Sequence, residues 1–292
     1  MPDQIAPEEI TLSRAARAFI AATSTESGEH IRPLHQYLGI RLVIEGGFLP
    51  EELSPTPQLK SEYHGDDRYL SFDSTAENKK EQIVLGALKS KRIDIVVAKE
   101  GIGPVLAISV KGTSKAFRNL VNRTEEAIGD CANIHIMYPG LVYGFVHFLR
   151  ATDTTDRTLK PNDILLNKNG DVLSSVKDYA RILEGLSGRM LVRNDYARYE
   201  SVALALLSVN AVEGQSPLFG KFPGSTSPLS LDAFFAALYR VYDLRFAYTY
   251  TDPGVKHLAR VTWHQDSAAL VALRDKKLVR GSIDYSPRVS GA

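Results

Sequence analysis

Two neighbouring apolar runs constrain the fold of this chain more than any other feature of its sequence. The segments Ile93 to Ala98 and Val105 to Val110 consist mainly of aliphatic residues, and a short turn with two glycines separates them. Apolar runs of this length bounded by turn residues predict β-strands. Because parallel strands need a long crossover, so short a connection predicts an antiparallel hairpin.

An aspartate and a lysine lie at the open end of the predicted hairpin. Asp94 is near the start of the first strand, and Lys111 follows the second. Side chains alternate along a strand, so Ser109 and Lys111 share one face, and the hairpin can bring Asp94 to the same side. An ionised side chain is costly to bury. We therefore predict that Asp94 and Lys111 serve a function rather than packing.

A helix predicted from about Ala116 to Asp130 follows the second strand. With Phe117 as the reference and about 100° per residue, Glu125 falls at about 80°, at the flank of the apolar stripe. Glu126 falls near roughly 180° from Phe117 in the same projection. The pattern predicts that Glu125 reaches the sheet and that Glu126 is a solvated surface acid.

Together, Asp94, Lys111 and Glu125 supply two carboxylates and an amine. Carboxylate oxygens are the usual ligands of Mg²⁺, and such an ion polarises a phosphoryl oxygen and lowers the pKa of a bound water. The lysine can position that water and offset charge that develops on the phosphate. This combination predicts Mg²⁺-dependent hydrolysis of a phosphodiester.

The same residues resemble the active-site pattern of the PD-(D/E)xK nuclease superfamily, the fold of most type II restriction endonucleases. Asp94 matches its first acid and Lys111 its lysine, but Ser109 stands where the second acid is usual. A subgroup that reads CCGG-type sites has Ser-x-Lys on the strand and the acid on the following helix, which Glu125 matches. That subgroup's Arg-rich recognition motif is not recognisable in Lys115 to Asn119, and its Asp-to-Lys gap is longer. No target sequence therefore carries over.

The resemblance implies an α/β fold with a restriction-endonuclease-like core, in which helices flank a mixed β-sheet. It implies a type II restriction enzyme that acts as a homodimer on double-stranded DNA with Mg²⁺. The implied catalytic residues are Asp94, Lys111, Glu125 and Ser109, with Asp94 and Glu125 as the metal ligands. The residues expected to contact DNA are Lys115, Arg118, Asn122 and Arg123. Glu45 is a further candidate for the neighbourhood of the site.

Two other interpretations stay open. One is a non-specific or repair-type nuclease of the same fold. The other is a DNA-binding protein that has kept the fold and lost the chemistry, for which Ser109 in place of the strand acid is the expected sign. DNA binding without metal-dependent cleavage would separate this second interpretation from both nucleases.

Composition narrows the class of protein without choosing among these functions. The 292 residues are 44% hydrophobic, which is typical of a globular chain. A net charge of +1 neither supports nor excludes nucleic acid. The single cysteine cannot form an internal disulfide, and no apolar run approaches the roughly 18 residues of a membrane span. With no signal-like apolar core near the N-terminus, we expect a cytoplasmic protein with no membrane partner.

The histidines show no metal-binding spacing. His30 and His35 are five residues apart, and no second cluster of metal-binding residues accompanies them in the sequence.

The stretch from Glu213 to Pro228 is rich in Gly, Pro and Ser and predicts a boundary between a catalytic core over 1–212 and a C-terminal subdomain over 213–292. Further helices are predicted at Pro7–Ala22, Thr75–Leu88, Leu141–Arg150, Val176–Leu186, Tyr196–Val209 and Leu229–Tyr242, and a third strand at Ile134–Met137.

Overall fold

A computed structural model shows the arrangement of most of the chain. It describes residues 6–22, 28–76, 81–115, 117, 120–155, 158–192, 195–212, 214–247, 258–274 and 283–290. The strands are β1 (Leu53–Ser54), β2 (Leu59–His64), β3 (Asp67–Phe72), β4 (Gln82–Val84), β5 (Lys91–Ile93), β6 (Ile95–Lys99), β7 (Gly103–Thr113), β8 (Val142–Ala151) and β9 (Ser201–Ser208). The helices are α1 (Leu12–Ala21), α2 (Arg32–Ile44), α3 (Leu120–Met137), α4 (Ser174–Gly185), α5 (Leu231–Tyr242) and α6 (Ala268–Arg274).

The main sheet has five strands in the order β1-β6-β7-β8-β9. β6 pairs with β7 in antiparallel fashion, whereas β7, β8 and β9 run parallel to one another. Two small ribbons, β2–β3 and β4–β5, lie outside this sheet. The predicted hairpin is confirmed, as is the α/β class with a mixed sheet flanked by helices.

The sheet separates two apolar clusters, because neighbouring residues of a strand face opposite ways. On one face, Ile108 packs in a cluster that contains residues of α1, α2 and α5. On the other, Ala107 packs in a cluster that contains residues of α3 and α4. The predicted helices that became α1, α3, α4 and α5 are confirmed with shifted ends, and Thr11 caps α1 by accepting a hydrogen bond from the Arg14 amide.

Two predicted helices are wrong. Leu141–Arg150 and Tyr196–Val209 contain the parallel strands β8 and β9. Nearly every residue of these strands is buried, because helices cover both faces of this part of the sheet. A strand buried on both faces loses its alternating pattern, so its sequence resembles that of a buried helix.

Two further assignments are also wrong. The helix predicted over Thr75–Leu88 is replaced by the short strand β4 and irregular chain, with residues 77–80 outside the described part. The strand predicted at Ile134–Met137 is the last turn of α3. In the first of these, tertiary contacts outweigh a weak local preference, because the backbone of residues 87–89 is held by Asn133 of α3.

Residues near the C-terminus pack directly against the N-terminal helices. The Trp263 indole donates a hydrogen bond to the Val43 carbonyl at 2.8 Å, and the Tyr285 hydroxyl donates one to the Ile10 carbonyl at 3.0 Å. The core over α1 and α2 therefore draws on residues from both sides of the predicted 212/213 boundary. Among the helices described, none combines the length and the apolar character needed to cross a bilayer.

Candidate metal centre

Asp94 lies in the bend between β5 and β6, at the edge where β7 also ends. Its Oδ2 accepts a hydrogen bond from the Val110 amide at 2.7 Å, which ties the carboxylate to the partner strand. This contact leaves Oδ1 directed towards His35, whose Nε2 is 3.9 Å away. Local strand pairing therefore orients one carboxylate oxygen and leaves the other free for a further contact.

His35 reaches Asp94 from the first turn of α2. The imidazole is only 5% exposed, and its Nε2 has no hydrogen-bond partner in the described structure. Its other ring nitrogen, Nδ1, lies 3.6 Å from Oε1 of Glu81. A buried polar atom without a partner is uncommon, because desolvation without a hydrogen bond is costly. The free Nε2 therefore indicates a position for a ligand.

Donor atoms of His35, Glu81 and Asp94 lie within 4.8 Å of one another. An imidazole and two carboxylates are a chemically suitable donor set for a divalent cation. The unpartnered Nε2 and the free Oδ1 of Asp94 supply two of these donors on adjacent elements. The residues therefore fit a metal ion.

The groups around Asp94 shift its pKa in both directions. Burial raises the pKa of Asp94; His35, the Val110 amide and Lys111 lower it, Glu81 raises it further, and the net pKa lies above the ordinary value. The pKa of Glu81 is lowered, chiefly by the His35 imidazole. A cation at this position would favour the ionised form of Asp94 and offset the cost of its burial.

Lys111 is oriented by an acid other than the one predicted. Its Nζ donates to Oε1 of Glu126 at 2.8 Å, and Oε2 of Glu126 accepts from Arg123 at 3.1 Å. Glu125 is exposed on α3. The predicted helix projection was wrong because the buried side of α3 is formed by Leu120, Thr124, Ala127 and Cys131, whereas Ile128, which the projection placed in the stripe, is only partly buried.

Ser109 lies on the predicted face of β7, but it is 6% exposed and its hydroxyl shares a 2.7 Å hydrogen bond with the Tyr143 hydroxyl. Burial raises the pKa of Tyr143 well above its ordinary value, so this pair stays neutral. Ser109 thus contacts the neighbouring strand β8, and it is not in the His35–Glu81–Asp94 group.

The residues predicted to contact DNA lie beside Lys111. Arg123 is 53% exposed and paired with Glu126, and Asn122 is exposed on α3. Lys115 is exposed before the helix, and Arg118 lies outside the described residues. The structure thus places one cation, Arg123, within the same ion-pair network as Lys111.

Glu45 is not near this centre. It follows the last residue of α2, whereas His35 lies in the first turn, and ten residues of helix span about 15 Å. The Glu45 carboxylate accepts two hydrogen bonds from Arg41, at 2.8 and 3.1 Å, and one from Tyr239. Its predicted proximity was wrong, and its contacts are those of an acid in a structural ion pair.

Sequence reasoning missed His35 and Glu81. His35 sits among apolar residues of α2 without a metal-binding spacing, and Glu81 fell within a helix that does not form. The one local signal was a histidine next to the apolar residues of α2. Its partners become visible only when α2, the chain before β4 and the start of β6 meet.

Fold and site together define a mixed-sheet α/β protein with a candidate metal centre at the end of a hairpin. Comparison with protein-family models, with curated proteins and with solved structures found no match to this chain. The functional assignment therefore has to come from the residues of the centre itself.

Proposed function

We propose that the protein is a metal-dependent nuclease that hydrolyses phosphodiester bonds in double-stranded DNA, on a restriction-endonuclease-like core. The observation that carries the proposal is the placement of Asp94 and Lys111 at one end of the β6–β7 hairpin, beside the unpartnered imidazole nitrogen of His35. This combination joins a metal-binding group to a nearby cation, as phosphoryl transfer to water requires.

Of the three potential donors, His35 Nε2 and Asp94 Oδ1 would bind the ion, and Glu81 would orient the imidazole through Nδ1 rather than bind. A bound divalent cation polarises the phosphoryl oxygen and lowers the pKa of a water ligand. The Val110 amide, which holds Oδ2, would keep Oδ1 turned towards the ion. This assignment replaces Glu125, which the sequence analysis proposed as the second ligand, with His35.

Lys111 supplies the positive charge next to the scissile phosphate. The Lys111 side chain is 32% exposed, so a phosphate can approach it while Glu126 holds its Nζ in place. Arg123 extends the positive charge along α3 and can contact a flanking phosphate. Lys115, Asn122 and Arg118 complete the proposed DNA-contacting set.

Site-specific cleavage by a homodimer, as in a type II restriction enzyme, is the form of this activity that the sequence resemblance favours. A two-fold protein matches a palindromic site. The second candidate is a DNA-binding protein without catalysis. It is favoured by the position of Ser109, which bonds Tyr143 where a strand acid would be expected.

Cleavage of unmethylated phage-length DNA tests the proposal. The protein is incubated with the DNA in Mg²⁺, in Mn²⁺ and in EDTA, and the products are separated on a gel. Discrete metal-dependent fragments support site-specific cleavage, and a smear supports the non-specific nuclease. Intact DNA in every metal, together with a mobility shift, overturns the nuclease and supports the binding protein.

Two variants tie any cleavage to this centre. We expect Asp94→Asn and Lys111→Met each to lower the cleavage rate by at least about 100-fold, the lower range for loss of a group that acts in proton transfer or charge stabilisation. Lys177→Met is the matched control, because Lys177 is exposed on α4 and belongs to neither the metal group nor the ion pairs of Lys111. Cleavage by Lys111→Met at the rate of the parent would refute the assignment.

A further inference from the structure

We infer that the centre formed by His35, Glu81 and Asp94 selects Mn²⁺, a transition ion that accepts imidazole, over Mg²⁺. The inference rests on the proposed function, because it concerns the ion that the proposed nuclease would use. It departs from the sequence expectation of Mg²⁺, which assumed that Asp94 and Glu125 would bind the ion through oxygen alone.

The donor set of the centre favours Mn²⁺ over Mg²⁺. Mg²⁺ is bound in proteins almost entirely by oxygen and keeps much of its water shell. Imidazole nitrogen suits transition ions, and carboxylate oxygen suits Mn²⁺ as well as Mg²⁺. One nitrogen from His35 and one oxygen from Asp94 together therefore favour Mn²⁺. Glu125, the ligand that would have restored an all-oxygen set, is exposed on α3.

His35 is positioned to bind an ion through a ring nitrogen. The side chain is 5% exposed, and Nε2 has no hydrogen-bond partner in the described structure. Glu81 lies on the other side of the ring, with Oε1 3.6 Å from Nδ1. A carboxylate at this position favours the proton on Nδ1 and leaves the lone pair of Nε2 for a metal, as in carboxylate–histidine–metal arrangements.

The spacing of the two ligand atoms also fits a shared ion. Nε2 of His35 and Oδ1 of Asp94 are 3.9 Å apart, which is too long for a hydrogen bond. Two ligands that each lie about 2.1 Å from one ion are at most about 4.2 Å apart. The observed separation therefore accommodates a shared ion. The Val110 amide prevents Asp94 from rotating Oδ1 away, since it holds Oδ2 at 2.7 Å.

Metal binding without DNA tests the inference. Mn²⁺ binding is followed by loss of the electron paramagnetic resonance signal of the free ion, and Mg²⁺ binding by competition with Mn²⁺. We expect the parent protein to bind Mn²⁺ at least tenfold more tightly than Mg²⁺. Equal or tighter binding of Mg²⁺ overturns the inference, as does binding of neither ion.

The variant His35→Asp turns the donor set into oxygen alone. We expect the ratio of the Mg²⁺ and Mn²⁺ dissociation constants to fall at least tenfold, chiefly through weaker Mn²⁺ binding. An unchanged ratio overturns the inference. If this variant melts well below the parent, His35→Gln takes its place, with the same required loss of Mn²⁺ affinity. His64→Asn is the control and should change neither constant, because His64 is 65% exposed on β2.

The metal-binding and cleavage experiments test the two proposals independently of each other. Mn²⁺ selectivity without DNA cleavage would refute the nuclease and leave the metal assignment standing. Cleavage with Mg²⁺ bound as tightly as Mn²⁺ would refute the selectivity and leave the nuclease standing.

Discussion

The carboxylate of Glu200 connects several parts of the fold, so neutralising it should strongly destabilise the protein. The side chain is fully buried just before β9. Oε1 accepts from Arg189 at 2.6 Å and from Arg245 at 2.7 Å. Oε2 accepts from the Tyr143 amide at 2.7 Å and lies 3.2 Å from Nε2 of His135. This one side chain therefore joins the starts of β8 and β9 to α3 and to the segments that follow α4 and α5.

The variant Glu200→Gln keeps the shape of the side chain and removes its charge. Two guanidinium groups, 0% and 9% exposed, then lose their ion pair with this carboxylate. Removing one partner of a buried ion pair costs about 3–5 kcal/mol. An unfolding entropy of about 2.1 cal/mol/K per residue gives about 0.6 kcal/mol/K for a chain of 292 residues, so the melting temperature should fall by about 5–8 °C.

Thermal and urea denaturation at pH 7 measure this loss of stability. The matched control is Asp178→Asn, because Asp178 pairs with Arg181 on the surface, where the two side chains are 63% and 74% exposed. Such a pair contributes about 0–1 kcal/mol, so the control should melt within about 2 °C of the parent. A Glu200→Gln protein that melts as the control does would refute the argument that this charge is buried and paired.

The pH dependence of stability, measured for the parent and for Glu200→Gln, tests the direction of the pKa shift of Glu200. Burial raises the pKa of Glu200, but His135, Arg245 and the Tyr143 amide outweigh it and hold the pKa below the ordinary 4.5. The native state therefore binds fewer protons than the unfolded state as the pH falls through that range, and the parent loses the contribution of Glu200. The stability difference between parent and variant should be full above pH 4.5 and narrow below it.

Three further predictions concern packing, titration and metal binding. In Gly144→Ala the new Cβ would lie 2.6 Å from Cζ of Phe234, so urea denaturation should show a loss of about 1–3 kcal/mol; Gly129→Ala, which meets nothing within 4 Å on α3, should instead be neutral or stabilising, and equal effects would contradict the packing argument. Burial lowers the pKa of His147 to about 3, so the native state binds fewer protons than the unfolded state between pH 6.5 and 3. The free energy of unfolding should then fall by up to about 1.4 kcal/mol per unit as the pH drops, and His147→Gln should flatten this slope; an unchanged slope would show that His147 is not buried in its neutral form. Glu81→Gln should weaken Mn²⁺ binding about 10–100-fold with little change in melting temperature, and unchanged affinity would exclude Glu81 from the centre.

The elements that could be predicted from sequence are those whose pattern is local. The β6–β7 hairpin follows from two aliphatic runs around a glycine-containing turn, and α1 from helical spacing next to a capping Thr11. α4 and α5 each bury one stripe and expose the other, so their periodicity survives in the sequence. For these segments the local preference and the tertiary environment agree.

The strands β8 and β9 could not be predicted in this way. Both are covered on two faces, so their alternation is lost, and their parallel pairing requires long crossovers that no local pattern marks. The predicted orientation of α3 was wrong for a related reason. The side of α3 that packs on the sheet carries Leu120, Ala127 and Cys131, and this choice of side depends on the tertiary contacts of the helix.

The sequence by itself determined Asp94 of the candidate centre and Lys111 beside it. Asp94 and Lys111 are brought together by hairpin pairing, which depends only on neighbouring segments. Tertiary structure alone decided that His35 and Glu81 join Asp94 and that Glu126, rather than Glu125, holds Lys111. The physical reason is that these contacts arise where α2, the chain before β4 and α3 meet at the end of the sheet, and helix packing and burial of the apolar core fix that meeting point.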